Sequence, residues 1–167
     1  SLKIIPHYES DPLYIDALVN SINKKLTEIN WKPDLILASY HGIPKKYFDK
    51  GDPYHCYCHK TSRLIKEMFN KDIPILTTFQ SRFGPQEWLQ PYTDKTLENL
   101  PKEGKKNILV ISPGFSSDCV ETLEEISIQG KESFLESGGE KFDTIPCLND
   151  NEDHIKLLVH LINKSIR

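Results

Sequence analysis

The sequence has 167 residues, enough for one ordinary domain with its own hydrophobic core. An apolar fraction of 38% and a charged fraction of 27% are typical of a globular protein rather than a disordered chain, and no apolar run approaches the roughly 20 residues that cross a bilayer. A formal charge of −3 gives no electrostatic reason to expect a nucleic-acid partner, and the opening residues lack the basic flank and long apolar stretch of a signal peptide.

Short apolar runs that suit strands alternate with helical patterns along the chain. In order, the predicted elements are a strand at residues 2–5, a helix at 11–29, a strand at 35–38, a helix at 52–69, a strand at 75–79, a helix at 93–100, a strand at 107–111, a helix at 118–136, a strand at 142–145 and a helix at 151–165. Asp52 and Pro53 suit a helix start, and Pro74 restricts the third strand to an edge or a strand beginning.

This alternation predicts a single α/β domain over residues 1–167, with a doubly wound parallel sheet of four to five strands and helices on both faces. Ligands of such sheets bind beyond the carboxyl ends of the strands. We therefore expect residues 39–44, 80–88 and 113–125 to meet at one rim of the sheet.

Two of these rim segments carry groups that can bind metals or move protons. His41 directly follows a predicted buried strand, and its imidazole can accept a proton near neutrality or ligate a metal. Glu121 and Glu125 are four residues apart on a predicted helix and so share one face. A structural alternative for Glu121 is a capping box with Asp118, whereas that for Glu125 is a solvated helix face. These residues predict a divalent-cation or proton-transfer site.

The four cysteines are Cys56, Cys58, Cys119 and Cys147. We interpret them as reduced thiols of a cytoplasmic protein, because the chain shows no secretory signal and two of them stand only two residues apart. The run 55–59 (HCYCH) contains zinc and iron–sulfur ligand types, but it falls inside a predicted helix with no second cysteine pair nearby. Ordinary helix residues are the favoured interpretation of that run.

Three aromatic residues, Phe83, Trp88 and Tyr92, follow the third strand. They could line a pocket for a flat ligand, and an equally simple alternative has Trp88 filling the edge of the core.

Four stretches in this order resemble ferrochelatases of bacterial type: SYHGIP at 39–44, GDPY at 51–54, FQSRFGPQEWLQPYTD at 79–94 and SPGFSSDCVETLEE at 112–125. The resemblance covers nearly the whole chain. It implies that His41 and Glu121 are catalytic, that His41, Glu121 and Glu125 contact the metal, and that Trp88 lines the macrocycle pocket. The substrate-binding residues implied by the matching stretches are Ser39, Tyr40, Gln80, Ser81, Pro85 and Trp88. One departure is Cys119, which stands where many relatives carry histidine.

The resemblance also implies a reaction and its participants. Ferrous iron, a substrate, would be inserted into protoporphyrin IX to form protohaem, with no tightly bound cofactor and no iron–sulfur cluster expected. Members of the family are about twice this length and form two lobes, so the chain resembles a C-terminal lobe whose partner is the N-terminal lobe. Peripheral membrane contact is compatible with the resemblance. The alternatives are a chelatase for coproporphyrin or cobalt, a short homodimeric chelatase, and a non-catalytic tetrapyrrole- or metal-binding domain.

Overall fold

A computed structural model describes residues 2–166 and shows a four-stranded parallel sheet between two layers of helices. The elements are α1 (Pro12–Glu28), β1 (Leu35–His41), α2 (Lys45–Asp49), α3 (Tyr54–Phe69), β2 (Ile75–Gln80), α4 (Thr93–Asn99), a 3₁₀ turn (Leu100–Glu103), β3 (Asn107–Ile111), a π-helix (Glu121–Gly130), α5 (Lys131–Glu136), β4 (Lys141–Thr144) and α6 (Glu152–Ile166). None of the helices within residues 2–166 has the length and apolar character needed to cross a membrane.

The strand order is β2-β1-β3-β4, and all three pairings are parallel. The predicted parallel α/β fold is therefore confirmed, with four strands. Pro74 directly precedes Ile75, the first residue of the edge strand β2. A proline is tolerated at the beginning of an edge strand, as predicted. The register pairs His41 with Gln80, so these two strands end side by side.

Alternate side chains of the central strands fill two separate cores, as expected for a sheet covered on both faces. Ile36, Ala38 and Tyr40 of β1 pack with buried residues of α1 and α3. Leu35 and Leu37 point to the opposite side and pack with buried residues of α4, the π-helix and α5. Helix α6 packs against α1 on the first side.

Turn and cap chemistry sets several helix ends. The Asp11 carboxylate accepts the Leu13 N–H and starts α1, and the Asp52 carboxylate accepts the Tyr54 N–H at the start of α3. Asn70 adopts a left-handed conformation, with φ of 46°, and ends α3.

Three predictions differ from the structure. The strand expected at residues 2–5 is wrong, because that segment does not pair with the sheet. The short helix α2 was not predicted, since five residues are too few to show a periodic pattern. The helix expected at 118–136 begins at Val120 instead and is π-helical over ten residues before continuing as α5.

Candidate functional site

The three predicted rim segments meet at the carboxyl ends of β1, β2 and β3. The loop after β1 is tied to the loop after β2, because the Lys45 N–H donates to the Glu87 carbonyl at 2.9 Å and the Leu89 N–H donates to the Ile43 carbonyl at 3.0 Å. The Gln80 side-chain amide then donates to the Glu121 carbonyl at 2.7 Å, which joins β2 to the π-helix. The predicted meeting of these segments is confirmed.

His41 is the last residue of β1 and presents a free ring nitrogen at this rim. Its Nδ1 lies 2.7 Å from the Gly42 carbonyl oxygen. Because a carbonyl can only accept, Nδ1 carries the proton in this contact, and the neutral ring keeps a lone pair on Nε2. The Tyr54 hydroxyl donates to the His41 carbonyl at 2.8 Å, and the Phe115 ring centre lies 6.1 Å from that of the imidazole. An imidazole oriented in this way can bind a metal or accept a proton through Nε2.

Glu121 is the first residue of the π-helix, and its carboxyl group is accessible to solvent. Hydrogen bonding with the Cys119 thiol, followed by a hydrogen bond with its own backbone, lowers the pKa of Glu121. The charge of His41, when its ring is protonated, adds to this lowering. Glu121 is therefore ionised throughout the neutral range.

Glu125 lies one turn further along and is held by the start of the loop after β2. Its carboxylate accepts the Ser81 backbone N–H at 2.7 Å and the Ser81 hydroxyl at 2.5 Å. Among residues 2–166, no three side chains of His, Cys, Asp or Glu form a group able to hold a metal ion. His41 and Glu121 lie on segments that meet at the rim, and the metal contacts expected of His41, Glu121 and Glu125 stay predictions.

Three of the six residues expected to bind substrate lie in the protein interior. Ser39 is fully buried, and its hydroxyl donates to the Gln80 side-chain oxygen at 2.8 Å. Tyr40 is 2% exposed, and its hydroxyl lies 2.9 Å from that of Ser62. Gln80 is 3% exposed and bridges β1 to the π-helix. The predicted substrate contact does not fit Ser39 and Tyr40, because strand alternation turns these side chains into the cores.

The other predicted substrate-binding residues lie on the surface of the loop after β2. Trp88 is half-buried, its indole N–H donates to the Phe83 carbonyl at 3.0 Å, and Phe83 itself is 84% exposed. Pro85 is exposed and Ser81 is half-buried. Trp88 is therefore not a core residue, and its ring is placed where a flat ligand could contact it.

The alternative interpretation of Asp118 and Glu121 as a capping box is wrong. The Asp118 carboxylate accepts the Cys147 N–H at 3.1 Å and the Asn149 side-chain amide at 2.7 Å, so it anchors the loop after β4. Burial acts to raise the pKa of Asp118, but the hydrogen bond with Asn149 and those with Cys147 outweigh it and lower the pKa. Sequence reasoning also missed Tyr54 and Phe115 as neighbours of His41, although both lie within the stretches GDPY and SPGF.

Comparisons with known proteins show which family the chain belongs to. The ferrochelatase family model matches residues 1–166. The chain is 57% identical over 167 residues to the ferrochelatase of Rhizobium meliloti, covering 99% of this chain and 49% of that protein. It is 55% identical over 168 residues to the ferrochelatase of Allorhizobium ampelinum, covering 100% of this chain and 49% of that protein. It is 52% identical over 168 residues to the ferrochelatase of Brucella anthropi, covering 100% of this chain and 48% of that protein. The chain thus spans about half the length of the curated relatives it matches.

Proposed function

Because the chain belongs to the ferrochelatase family, we propose that it is one lobe of an enzyme that inserts ferrous iron into protoporphyrin IX to form protohaem. The observation that carries this proposal is that His41 and Glu121 lie on segments that meet at one rim. Nδ1 of His41 donates to the Gly42 carbonyl and leaves Nε2 for a metal or a proton, and the lowered pKa of Glu121 keeps its carboxylate charged. Trp88 lies on the adjoining loop, where it forms a β-bridge with Pro44.

Metal insertion needs groups that accept protons and no change of oxidation state. Fe²⁺ replaces two pyrrole protons, so the products are the iron porphyrin and two protons. His41 accepts one proton at Nε2, where the lone pair is free because Nδ1 donates to Gly42. The carboxylate of Glu121 stabilises the resulting imidazolium and the incoming cation, since its lowered pKa keeps it charged.

The macrocycle itself would lie against the loop after β2. Trp88 offers an aromatic face, and Ser81 and Pro85 lie at the surface of the same loop. Gln80 acts differently from our expectation, because it is buried and holds the π-helix at its Glu121 carbonyl. We assign it the positioning of Glu121 rather than contact with the porphyrin.

A second lobe would complete the cleft, and one face of α6 supports this part of the proposal. The buried residues of α6 are His154, Leu157 and Leu161. A second stripe, at helical spacing, leaves large apolar side chains 36–70% exposed: Ile155, Leu158, Val159, Ile162 and Ile166. A continuous apolar face of this kind is typical of a protein–protein contact. We propose that the partner is a second lobe, corresponding to the half of the relatives' length that this chain does not match. Cytoplasmic location and peripheral membrane contact stay predictions.

The test is metal insertion by a protein that carries both lobes. We expect His41→Ala and Glu121→Gln each to lower kcat by about 10²–10⁴-fold, the range for removal of a positioned acid or base. The matched control is His160→Ala, because His160 lies on the surface of α6. Wild-type turnover in His41→Ala would refute the proposed role of the imidazole.

The same protein would identify the substrates. Competition between protoporphyrin and coproporphyrin, and between Fe²⁺ and Co²⁺, is expected to favour protoporphyrin and Fe²⁺. Porphyrin binding without metallated product would instead show a non-catalytic tetrapyrrole-binding domain.

A further inference from the structure

His55 and His59 on α3 differ from the other histidines in having no polar partner. The remaining four each have one: His7 with Glu9 and Tyr57, His41 with Gly42, His154 with Asn149, and His160 with Asp11. Neither ring nitrogen of His55 or of His59 makes a hydrogen bond or ion pair within the part of the chain that the structure describes. No buried or half-buried residue in that part has a buried side-chain nitrogen without a partner, so the His55 nitrogens reach solvent, and His59 is itself exposed.

The two rings are held next to each other. They stand four residues apart on α3, with ring centres 4.4 Å apart and planes inclined by 46°. The His55 ring stacks on Phe79 at 5.6 Å and packs against Phe48 at 4.8 Å, which fixes its position. The His55 ring is therefore held in place on α3, with the exposed His59 ring next to it.

This spacing is close to that of two imidazoles on one metal ion. A metal–nitrogen bond of about 2.0–2.1 Å places the metal roughly 3.2 Å from each ring centre. At bond angles between square-planar and tetrahedral, two such ring centres lie about 4.5–5.2 Å apart. The observed 4.4 Å needs only a small adjustment of the exposed His59 ring.

The protonation state and the chemistry of the neighbours agree with metal binding. Burial lowers the pKa of His55. Burial also lowers the pKa of His59, and the charge of His55 adds to that lowering. Both rings are therefore neutral at pH 7, as metal ligands must be. The cysteines of the same run do not complete a four-ligand cage. Burial raises the pKa of Cys58 to about 12, and Cys56 is exposed elsewhere on the helix.

We propose that His55 and His59 form a two-imidazole site for a divalent transition-metal ion of the copper and zinc type, separate from the His41–Glu121 pair. Two nitrogen ligands suit these ions, and water fills the remaining coordination positions. His55 also lines one cavity with Glu87 and Trp88. An ion at this site therefore lies next to the loop that we propose to contact the porphyrin.

Titration of the protein with CuSO₄, followed by electron paramagnetic resonance and calorimetry, tests the site. We expect one Cu²⁺ with two nitrogen donors that persists in His41→Ala, and at least tenfold weaker binding in His59→Gln. His160→Gln is the matched control, since it removes an exposed imidazole from another helix and should leave the affinity unchanged. Wild-type affinity in a His55→Gln, His59→Gln double variant would overturn the proposal.

Fluorescence gives a second measurement that does not depend on His55 variants folding. The chain contains two tryptophans, Trp31 and Trp88, so Trp31→Phe leaves Trp88 as the only one. We expect Cu²⁺ to quench Trp88 in this background and His59→Gln to abolish the quenching at the same Cu²⁺ concentration. Quenching that survives His59→Gln but disappears in His41→Ala would assign the ion to the rim and refute the site on α3. All of these readouts are independent of iron insertion, so failure of either proposal leaves the other intact.

Discussion

Gln80→Met should destabilise the fold and displace the π-helix at the candidate site. The substitution keeps the length of the side chain but removes both polar atoms. In the structure, the side-chain oxygen of Gln80 accepts from Ser39 at 2.8 Å, and its amide donates to the Glu121 carbonyl at 2.7 Å. These two bonds link β1, β2 and the π-helix at a residue that is 3% exposed.

The expected loss follows from those two bonds. Each neutral hydrogen bond contributes about 1 kcal/mol net, and a buried group left without a partner adds to that. The Ser39 hydroxyl keeps a second contact, with Thr93 at 2.9 Å, so the added cost arises mainly at the Glu121 carbonyl. We expect a loss of about 2–3 kcal/mol in the free energy of unfolding. With a urea m-value of about 2 kcal/mol/M, the unfolding midpoint falls by about 1–1.5 M.

Urea unfolding followed by circular dichroism measures this loss, with an unchanged m-value as the sign of two-state behaviour. A double-mutant cycle with Ser39→Ala should give a coupling energy of about 1 kcal/mol. In the two-lobed protein, kcat should fall because the Glu121 backbone loses its anchor. A loss below about 0.5 kcal/mol, within the range of ordinary surface substitutions, would refute the bridging role of Gln80.

Three further outcomes follow from individual contacts. Cys119→Ala removes the main group that lowers the pKa of Glu121, so this pKa should rise towards its ordinary value in an NMR titration of the carboxylate, and an unmoved pKa would contradict this. Gly42→Ala places a methyl group 2.9 Å from a backbone carbonyl of β2 and should lower stability by about 1–3 kcal/mol in thermal unfolding, whereas Gly114→Ala, with its nearest atom at 3.5 Å, should be tolerated. Burial acts to raise the pKa of Glu9, but hydrogen bonds with a neighbouring imidazole and lysine lower it from 4.5 to about 2. The stability that this carboxylate contributes is thus present above pH 4.5 and lost as the pH falls towards 2, so Glu9→Gln should flatten acid unfolding in that window.

Periodicity correctly predicted those elements whose apolar residues recur at the spacing of the face that they bury in the fold. The apolar spacing up to Ile29 and the run Asn107–Ile111 correspond to α1 and β3. Residues 2–5 show why the same reasoning fails elsewhere. A β-branched run suits a strand, but a strand exists only where a neighbour completes its hydrogen bonds, and sequence does not show which run lacks one.

The meeting of the rim segments could be predicted from the sequence, but the orientation of their side chains could be predicted only in part. Parallel strands end at one rim, so His41 and Gln80 had to lie close together. Orientation was harder to predict, because the two faces of a fully covered strand are both apolar and alternation leaves no signal. Ser39 and Tyr40 were assigned to the ligand surface because they lie in the matching stretch SYHGIP, whereas hydrogen bonds hold them inside.

Glu121 and Glu125 lie on one face of the π-helix, but their carboxylates are held differently. A π-helix is stable only where tertiary contacts compensate for its poorer packing, and it is frequent at functional sites. Here the contacts are the two bonds from Ser81 to Glu125 and the Gln80 bond to the Glu121 carbonyl. Both bonds to Glu125 use its carboxylate, whereas the bond to Glu121 uses its backbone. Glu125 is therefore fixed to the loop after β2, and the side chain of Glu121 stays accessible at the rim.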